Sequence, residues 1–296
     1  MSKVQDLQSI YRTDLSLLYE QEELEQIIQM SFEHVCGFTR ADLFLQRELE
    51  LMKDQDLELR RILEHLKLNE PIQYILGYSW FAGRKFIVSH DVLIPRQETE
   101  ELVNWIVSDF KSMAHSGLRV LDLCTGSACI AVSVSLAFKS WTIFGLDISE
   151  PALKVASKNN SELSASVEFV KGDVLRWDSD PIFQKFQGHG EKSLDIIVSN
   201  PPYVGVNEKS MMSERVLAHE PGLALFVPED DPLVFYRQII DFAKTSLRNN
   251  GRVYVEINRE FGAEIVNLFS ERNFSDIQLR KDIAGNDRMI SATLRS

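Results

Sequence analysis

From Arg119 onward the chain alternates short apolar runs with stretches of helical apolar spacing, and this alternation leaves few folds open. Arg119–Leu123, Thr142–Asp147, Val167–Val170, Leu194–Val198 and Arg252–Ile257 read as strands, with helices over 151–159, 232–247 and 262–272. Strands joined through helices pair in parallel, because a parallel connection needs a dozen or more residues to cross over. The class expected is therefore α/β, a doubly wound sheet with helices on both faces. The last two apolar runs, 277–279 and 289–294, have only a loop between them, so they are expected to close the sheet as an antiparallel C-terminal hairpin.

The first 76 residues have a different pattern. Leu24, Ile27, Ile28 and Phe32, then Leu43, Phe44 and Leu49, then Leu59, Ile62, Leu63 and Leu66 recur at helical spacing until Pro71. Gly37 is placed to stop one helix, and Thr39 with Asp42 to cap the next. Residues 77–95 turn β-rich around Gly83, with a second turn at Ser89-His90-Asp91, and a helix follows from Glu98 to Phe110. The expected organisation is a small helical domain over 1–76, a β-hairpin linker over 77–95 and a Rossmann-like domain over 96–296. The long polar connection 204–231 is expected to be a binding loop.

Charge narrows the partners. The 296 residues carry a formal net charge of −12, and neither the helical stretch nor the remainder is basic. This argues against a protein held mainly by nucleic-acid phosphates. Cys36, Cys124 and Cys129 form neither a Cys-x-x-Cys pair nor a zinc-type cluster, so no metal is expected and a reducing compartment is the simplest reading. No apolar stretch approaches the ~20 residues of a membrane span, and the first residues lack a signal-peptide core. A cytoplasmic protein is expected.

Asn200-Pro201-Pro202-Tyr203 follows the apolar run ending at Ser199. Ligands of open α/β sheets bind at such strand exits. The two prolines restrict the backbone, so the Asn200 side chain and the Pro201 carbonyl can be held as a rigid pair of acceptors. Such a pair suits a planar NH2 group, with Tyr203 available to stack on it. Taken alone, the tetrapeptide serves equally well as a turn.

The first strand of the sheet exits into Cys124-Thr125-Gly126-Ser127-Ala128, which opens a helix. A Gly-x-Gly-x-x-Gly fingerprint is absent, so little is available to cradle a pyrophosphate. Asp147 ends the second strand, where a carboxylate can accept from ribose hydroxyls, and Asp173, followed by Val174, lies past the third, within reach of an adenine amino group. Singly these acids read as caps or turn residues. Together they describe an adenosine pocket without phosphates, the kind of pocket that suits S-adenosylmethionine (SAM). The antiparallel closing hairpin likewise favours a methyltransferase over a dehydrogenase.

These segments resemble the HemK/PrmC family of protein glutamine N5-methyltransferases over about residues 71–296. The resemblance lies in Pro71-Ile72-Gln73-Tyr74-Ile75-Leu76-Gly77, in Leu93-Ile94-Pro95-Arg96-Gln97-Glu98-Thr99-Glu100 and in Ser199 to Tyr203. It continues in Glu220-Pro221 with Ala224-Leu225 and in Asp282 to Arg288. Two positions depart: Cys124 and Ala128 stand where the family usually has glycine. Val174 replaces an aromatic residue found in some relatives.

The resemblance implies methyl transfer from SAM to the side-chain amide of the Gly-Gly-Gln glutamine of peptide chain release factors. Asn200 and Pro201 would accept the amide N–H groups, Pro202 would lock the loop and Tyr203 would wall the glutamine slot. Cys124, Thr125, Gly126, Ser127, Ala128, Asp147, Asp173, Val174 and Asn200 would bind the cofactor. Arg96, Glu98 and Thr99 would support the cofactor's methionine end or substrate docking, with helix capping an equal reading for Glu98 and Thr99. A monomer is expected, with neither nucleic acid nor membrane as partner. The alternatives are glutamine methylation of a ribosomal protein and, with less support, adenine N6 methylation of nucleic acid. A third is a SAM-binding module without catalysis.

Overall fold

The computed structural model describes residues 2–187 and 192–296. It divides into two compact units, Met1–Tyr78 with Ser213–His219, and Ser79–Met212 with Glu220–Ser296.

In the first unit, α1 (Val4–Leu15), α2 (Gln21–Cys36), α3 (Arg40–Leu45), α4 (Lys53–Lys67) and α5 (Ile72–Leu76) enclose a core. Its centre is Leu7, Tyr11, Phe32, Leu59, Ile62 and Leu66, none of them accessible to solvent. The Tyr11 hydroxyl keeps a partner by donating to the Leu59 carbonyl at 2.5 Å. Gly37 ends α2 in the left-handed region (φ 72°), and Thr39 and Asp42 form the expected capping box of α3. Phe44 and Leu49 do not enter this core: they are 73% and 47% exposed. Helix α3 has only six residues, so once Leu43 faces inward its neighbour Phe44 must face out.

The connection after Tyr203 contributes to this unit, which its polar composition did not foretell. Its helix Glu214–His219 carries Arg215, whose guanidinium lies 4.3 Å from the Tyr19 ring centre and pairs with Glu23.

A hairpin of β1 (Tyr78–Phe81) and β2 (Arg84–Ile87) follows, and from Ser79 onward it belongs to the second unit. Ala82 and Gly83 both take positive φ, 48° and 71°, as a tight two-residue hairpin turn demands. The β-rich run Val92–Ile94 makes no strand. Pro95 cannot donate to a ladder, and the Ile94 N–H goes to the Glu220 carboxylate at 3.3 Å instead.

After α6 (Gln97–Phe110) come β3 (Arg119–Leu123), α7 (Cys129–Ala137), β4 (Thr142–Asp147), α8 (Glu150–Glu162), β5 (Val167–Lys171) and β6 (Leu194–Ser199). A small parallel ribbon of β7 (Val204–Gly205) and β8 (Phe226–Val227) precedes β9 (Leu247–Glu256), β10 (Phe274–Lys281) and β11 (Asp287–Leu294). The main sheet has seven strands in the order β10-β11-β9-β6-β3-β4-β5. Strands β5, β4, β3, β6 and β9 run parallel, and β11 and β10 close the edge antiparallel, as the missing crossover required. The connection reverses direction between β3 and β6, and the crevice outside their carboxyl ends is the topological switch point.

Gly145 lies in the middle of β4, where a strand glycine marks a close approach. A Cβ there would meet the Phe169 ring at 2.8 Å and the Thr125 hydroxyl at 3.0 Å. Gly145→Ala is expected to destabilise the fold by about 1–3 kcal/mol through overpacking, read as a lower urea midpoint.

Candidate active site

Strand register assembles the site. Leu123 of β3 faces Ser199 of β6, and the Ser199 hydroxyl donates to the Leu123 carbonyl at 2.7 Å. The next residues on these two strands, Cys124 and Asn200, therefore emerge side by side. Ser199 also faces Val255 of β9, which brings Glu256 next to Asn200, and Leu123 faces Leu146 of β4, which places Asp147 on the other flank.

The Cys124 to Ala128 loop is wound through the left-handed region at alternate residues, with φ of 59° at Cys124, 54° at Gly126 and 62° at Ala128. Only Gly126 takes that conformation freely. An L-residue there costs roughly 1–2 kcal/mol, which is the physical reason for the glycines of the family pattern. The strained turn is fastened at several points. Thr125 donates its N–H to Leu146 O (3.0 Å) and its hydroxyl to Asp122 Oδ2 (2.6 Å). The Gly126 N–H goes to Asp147 Oδ2 at 2.8 Å. Asn159 of α8, fully buried, donates to the Ser127 carbonyl at 2.9 Å and exchanges bonds with both backbone groups of Ile87 on β2. Nothing local in the sequence marks Asn159 as a clasp; its signal is only an Asn facing inward on an amphipathic helix.

One cavity at the switch point is lined by Cys124, Thr125, Gly126, Ser127, Asp147, Asp173, Val174 and Asn200. Val92, Leu93, Pro95, Arg96 and Thr99 line it too, so the Ile-Pro-Arg segment belongs to the same site. Ala128 is fully buried behind the cavity and does not line it. Pro202 lines it, whereas Pro201 and Tyr203 do not.

The charges of the cavity say what it can hold. The Gly126 amide, which a phosphate would need, is already bound by Asp147, so a phosphate would meet a carboxylate there. Asp147 also accepts from the Ser149 N–H at 2.9 Å, and its burial raises its pKa above the usual carboxylate value. Asp173 accepts from the Leu175 N–H at 2.9 Å, so it caps a short turn and faces the cavity at once. Arg96 is paired with Glu220 at 2.5 Å, and the Glu220 side chain is 1% exposed. That pair joins two of the resemblance segments. A neutral or cationic adenosine derivative fits; a pyrophosphate does not. Among the described residues no cluster of His, Cys, Asp and Glu could hold a metal ion.

At Asn200 the side-chain Nδ2 donates to the Thr99 hydroxyl at 3.1 Å. Thr99 in turn donates to Glu256 Oε2 at 2.6 Å, and the Tyr203 hydroxyl donates to Glu256 Oε1 at 3.0 Å. One sequence reading changes here. Thr99 is not a helix cap, because Arg96 holds that position in α6 and Thr99 bonds across the site. Tyr203 lies off the cavity with its phenol on Glu256. Sequence reasoning passed over Glu256, although a lone carboxylate ending Val253-Tyr254-Val255 was a signal: a charge at the end of a buried strand requires partners. The Asp282 to Arg288 segment is the β10–β11 turn, in which Asp282 accepts from Arg288 Nε at 3.1 Å.

Comparison with known proteins agrees with this geometry. Residues 14–77 match the PrmC N-terminal domain and residues 114–276 match a methyltransferase domain. A release factor glutamine methyltransferase of Flavobacterium psychrophilum is 40% identical over 290 residues, covering 96% of this chain and 98% of that one. One of Bacteroides thetaiotaomicron is 41% identical over 281 residues, covering 95% and 96%. Among solved structures, the delta-N METTL16 methyltransferase domain superposes with a TM-score of 0.51 at 16% identity, over 72% of this chain and 90% of that one, which is a likeness of fold.

Two outcomes are expected. Ala128→Gly relieves roughly 1–2 kcal/mol of strain and loses about 0.8 kcal/mol of methyl burial, so the unfolding free energy from urea titration should rise by roughly 0.2–1.2 kcal/mol. Burial pushes the Asp122 carboxyl up to about 7, well above its unfolded value. The folded state therefore holds this proton where the unfolded state releases it, and the Asp122 contribution to stability falls as pH rises from about 4 to about 7. Asp122→Asn should remove that slope from unfolding free energies measured across the same pH range.

Proposed function

The chain belongs to the family of release factor glutamine methyltransferases, and from that premise we propose how its own residues carry the transfer of a methyl group from SAM to the side-chain amide nitrogen of a release factor's Gly-Gly-Gln glutamine. SAM brings a methyl group made electrophilic by its sulfonium centre. Everything else falls to the protein.

The cofactor is held by the Cys124 to Ala128 loop, with Asp147 toward the ribose and Asp173 and Val174 toward the adenine. The acidic lining favours a cation, and the occupied Gly126 amide disfavours phosphates. A primary amide nitrogen is a weak nucleophile because its lone pair is delocalised into the carbonyl. Rate must come from holding that nitrogen in line with the methyl group and from dipoles that favour the positive charge developing on it. Asn200 Oδ1 and the Pro201 carbonyl accept the two N–H groups, and Pro202 keeps their spacing fixed. Tyr203, tied to Glu256, steadies this corner from behind. No nucleophilic side chain takes part: the nitrogen displaces the sulfonium methyl directly, leaving the neutral thioether, and the amide proton it then sheds leaves to solvent.

One observation carries the reading: the Asn200 Nδ2 is bonded to Thr99. Among the described residues its Oδ1 takes no partner, so it is available as an acceptor on the rim of a phosphate-excluding adenosine cavity. The helical stretch 1–76 is the part we assign to recognition of the release factor, which is met as protein without nucleic acid. We place the enzyme in the cytoplasm as a monomer. No described helix is long and apolar enough to cross a membrane.

Asn200→Ala should lower methyl transfer by about 10²-fold or more while SAM binding, followed by calorimetry, stays near that of the parent. Methyl-labelled SAM supplied with release factors, ribosomal proteins and DNA in parallel should label the release factor glutamine. Label confined to ribosomal protein or to DNA would sink the assignment.

A further inference from the structure

We propose that Glu256 is a positioning residue which, acting through Thr99, fixes which way round the Asn200 amide sits, and so makes the slot select an amide NH2 group over a carboxylate. The inference rests on the release-factor reading of the same site and adds the element that sets its polarity.

The orientation of the amide is set by where the hydrogen atoms lie. An ionised carboxylate only accepts, and a threonine hydroxyl has a single hydrogen to give. Glu256 takes the Tyr203 hydroxyl on Oε1 at 3.0 Å and the Thr99 hydroxyl on Oε2 at 2.6 Å. With its hydrogen committed to Glu256, Thr99 can only accept from Asn200, and the group of Asn200 that can donate is Nδ2. The Asn200 oxygen is thereby turned away from Thr99 and held as an acceptor. A glutamine NH2 arriving there finds an oxygen. A glutamate side chain would bring oxygen against oxygen and be rejected, because mismatched polar groups at a desolvated contact discriminate strongly.

The relay has a definite failure mode. If Glu256 gains a proton, its O–H competes to donate to Thr99. Thr99 can then turn its hydrogen toward Asn200, and the amide reverses so that NH2 faces NH2. Burial raises the Glu256 pKa, while the Thr99 and Tyr203 hydroxyls and the Arg288 guanidinium oppose the rise and Glu98 adds to it. Tyr236, whose hydroxyl donates to the Glu256 backbone carbonyl at 3.4 Å, and the buried Cys129 thiol are further titratable neighbours. Activity is therefore expected to be present above the Glu256 pKa and to fall as pH drops through it.

The experiment uses the full chain, a purified release factor and labelled SAM. Glu256→Gln keeps the shape and gives Thr99 an NH2 neighbour that can reverse the relay. It should lower kcat by about 10²-fold while the SAM dissociation constant stays within about threefold and the melting temperature within a few degrees. The acidic limb of the kcat–pH profile seen in the parent should be absent from this variant. Thr99→Val should show the same loss, and Thr99→Ser, which retains the hydroxyl, should recover most of it. Parent-like kcat in Glu256→Gln would overturn the proposal, as would a loss of kcat matched by an equal loss of SAM binding. If the parent itself leaves the release factor unlabelled, the functional reading fails, and that result is distinct from either.

Discussion

The site depends on the parallel register of three strands, β3, β6 and β9. Leu123, Ser199 and Val255 lie in one row across the sheet, and each strand leaves that row with a residue of the proposed site: Cys124, Asn200 and Glu256. A slip of one residue in either pairing would turn every side chain of that strand to the opposite face and separate Asn200 from its partners. Register is held by the continuous apolar packing of Leu121, Ile197 and Val253, all fully buried. The geometry of a polar centre is therefore set by hydrophobic contacts that take no part in it.

Around this row the protein accumulates buried carboxylates, and each is treated differently. Asp122 has one oxygen bonded by Thr125 and the Ala131 N–H, while among the described residues its Oδ1 has no partner, so burial holds its proton. Asp147 is met by two backbone N–H groups. Glu256 has two hydroxyls and a nearby guanidinium. Each of the three acids thus meets two hydrogen-bond donors, and Glu256, behind Asn200, has the Arg288 guanidinium in addition. Ionisation is costly in low dielectric unless donors oppose it, so the acid with the best donors is the one best able to act as a fixed acceptor.

Much of this was legible in the chain. Parallel strands buried on both faces read as unbroken apolar runs, so β3, β4 and β6 stood out, and strand exits are where ligands of such sheets bind. Asn200, Asp147 and the Gly126 loop could be picked out on those grounds. Thr99 and Glu256 could not be joined, because 157 positions separate them and only the sheet order makes them neighbours. Asn159 was silent for the same reason, since its partners Ile87 and Ser127 come from a hairpin and a loop far away in sequence. Phe44 misled in the other direction. Helical spacing was extended across a segment that forms fewer than two turns, and a periodicity argument needs length to have force.

The arrangement of the closing hairpin carries a consequence in time. Strand β11 sits between β9 and β10, and it brings Arg288 to the vicinity of Glu256 although it follows β9 in the chain. A ribosome making this protein therefore delivers the carboxylate well before the cation that supports it. Until β11 has slotted in beside β9, the end of β9 has no neighbour on that side and its acid lacks its counter-charge. The nascent chain passes through a stage with the Cys124 to Ala128 loop and Asn200 already synthesised and Glu256 still without Arg288 beside it.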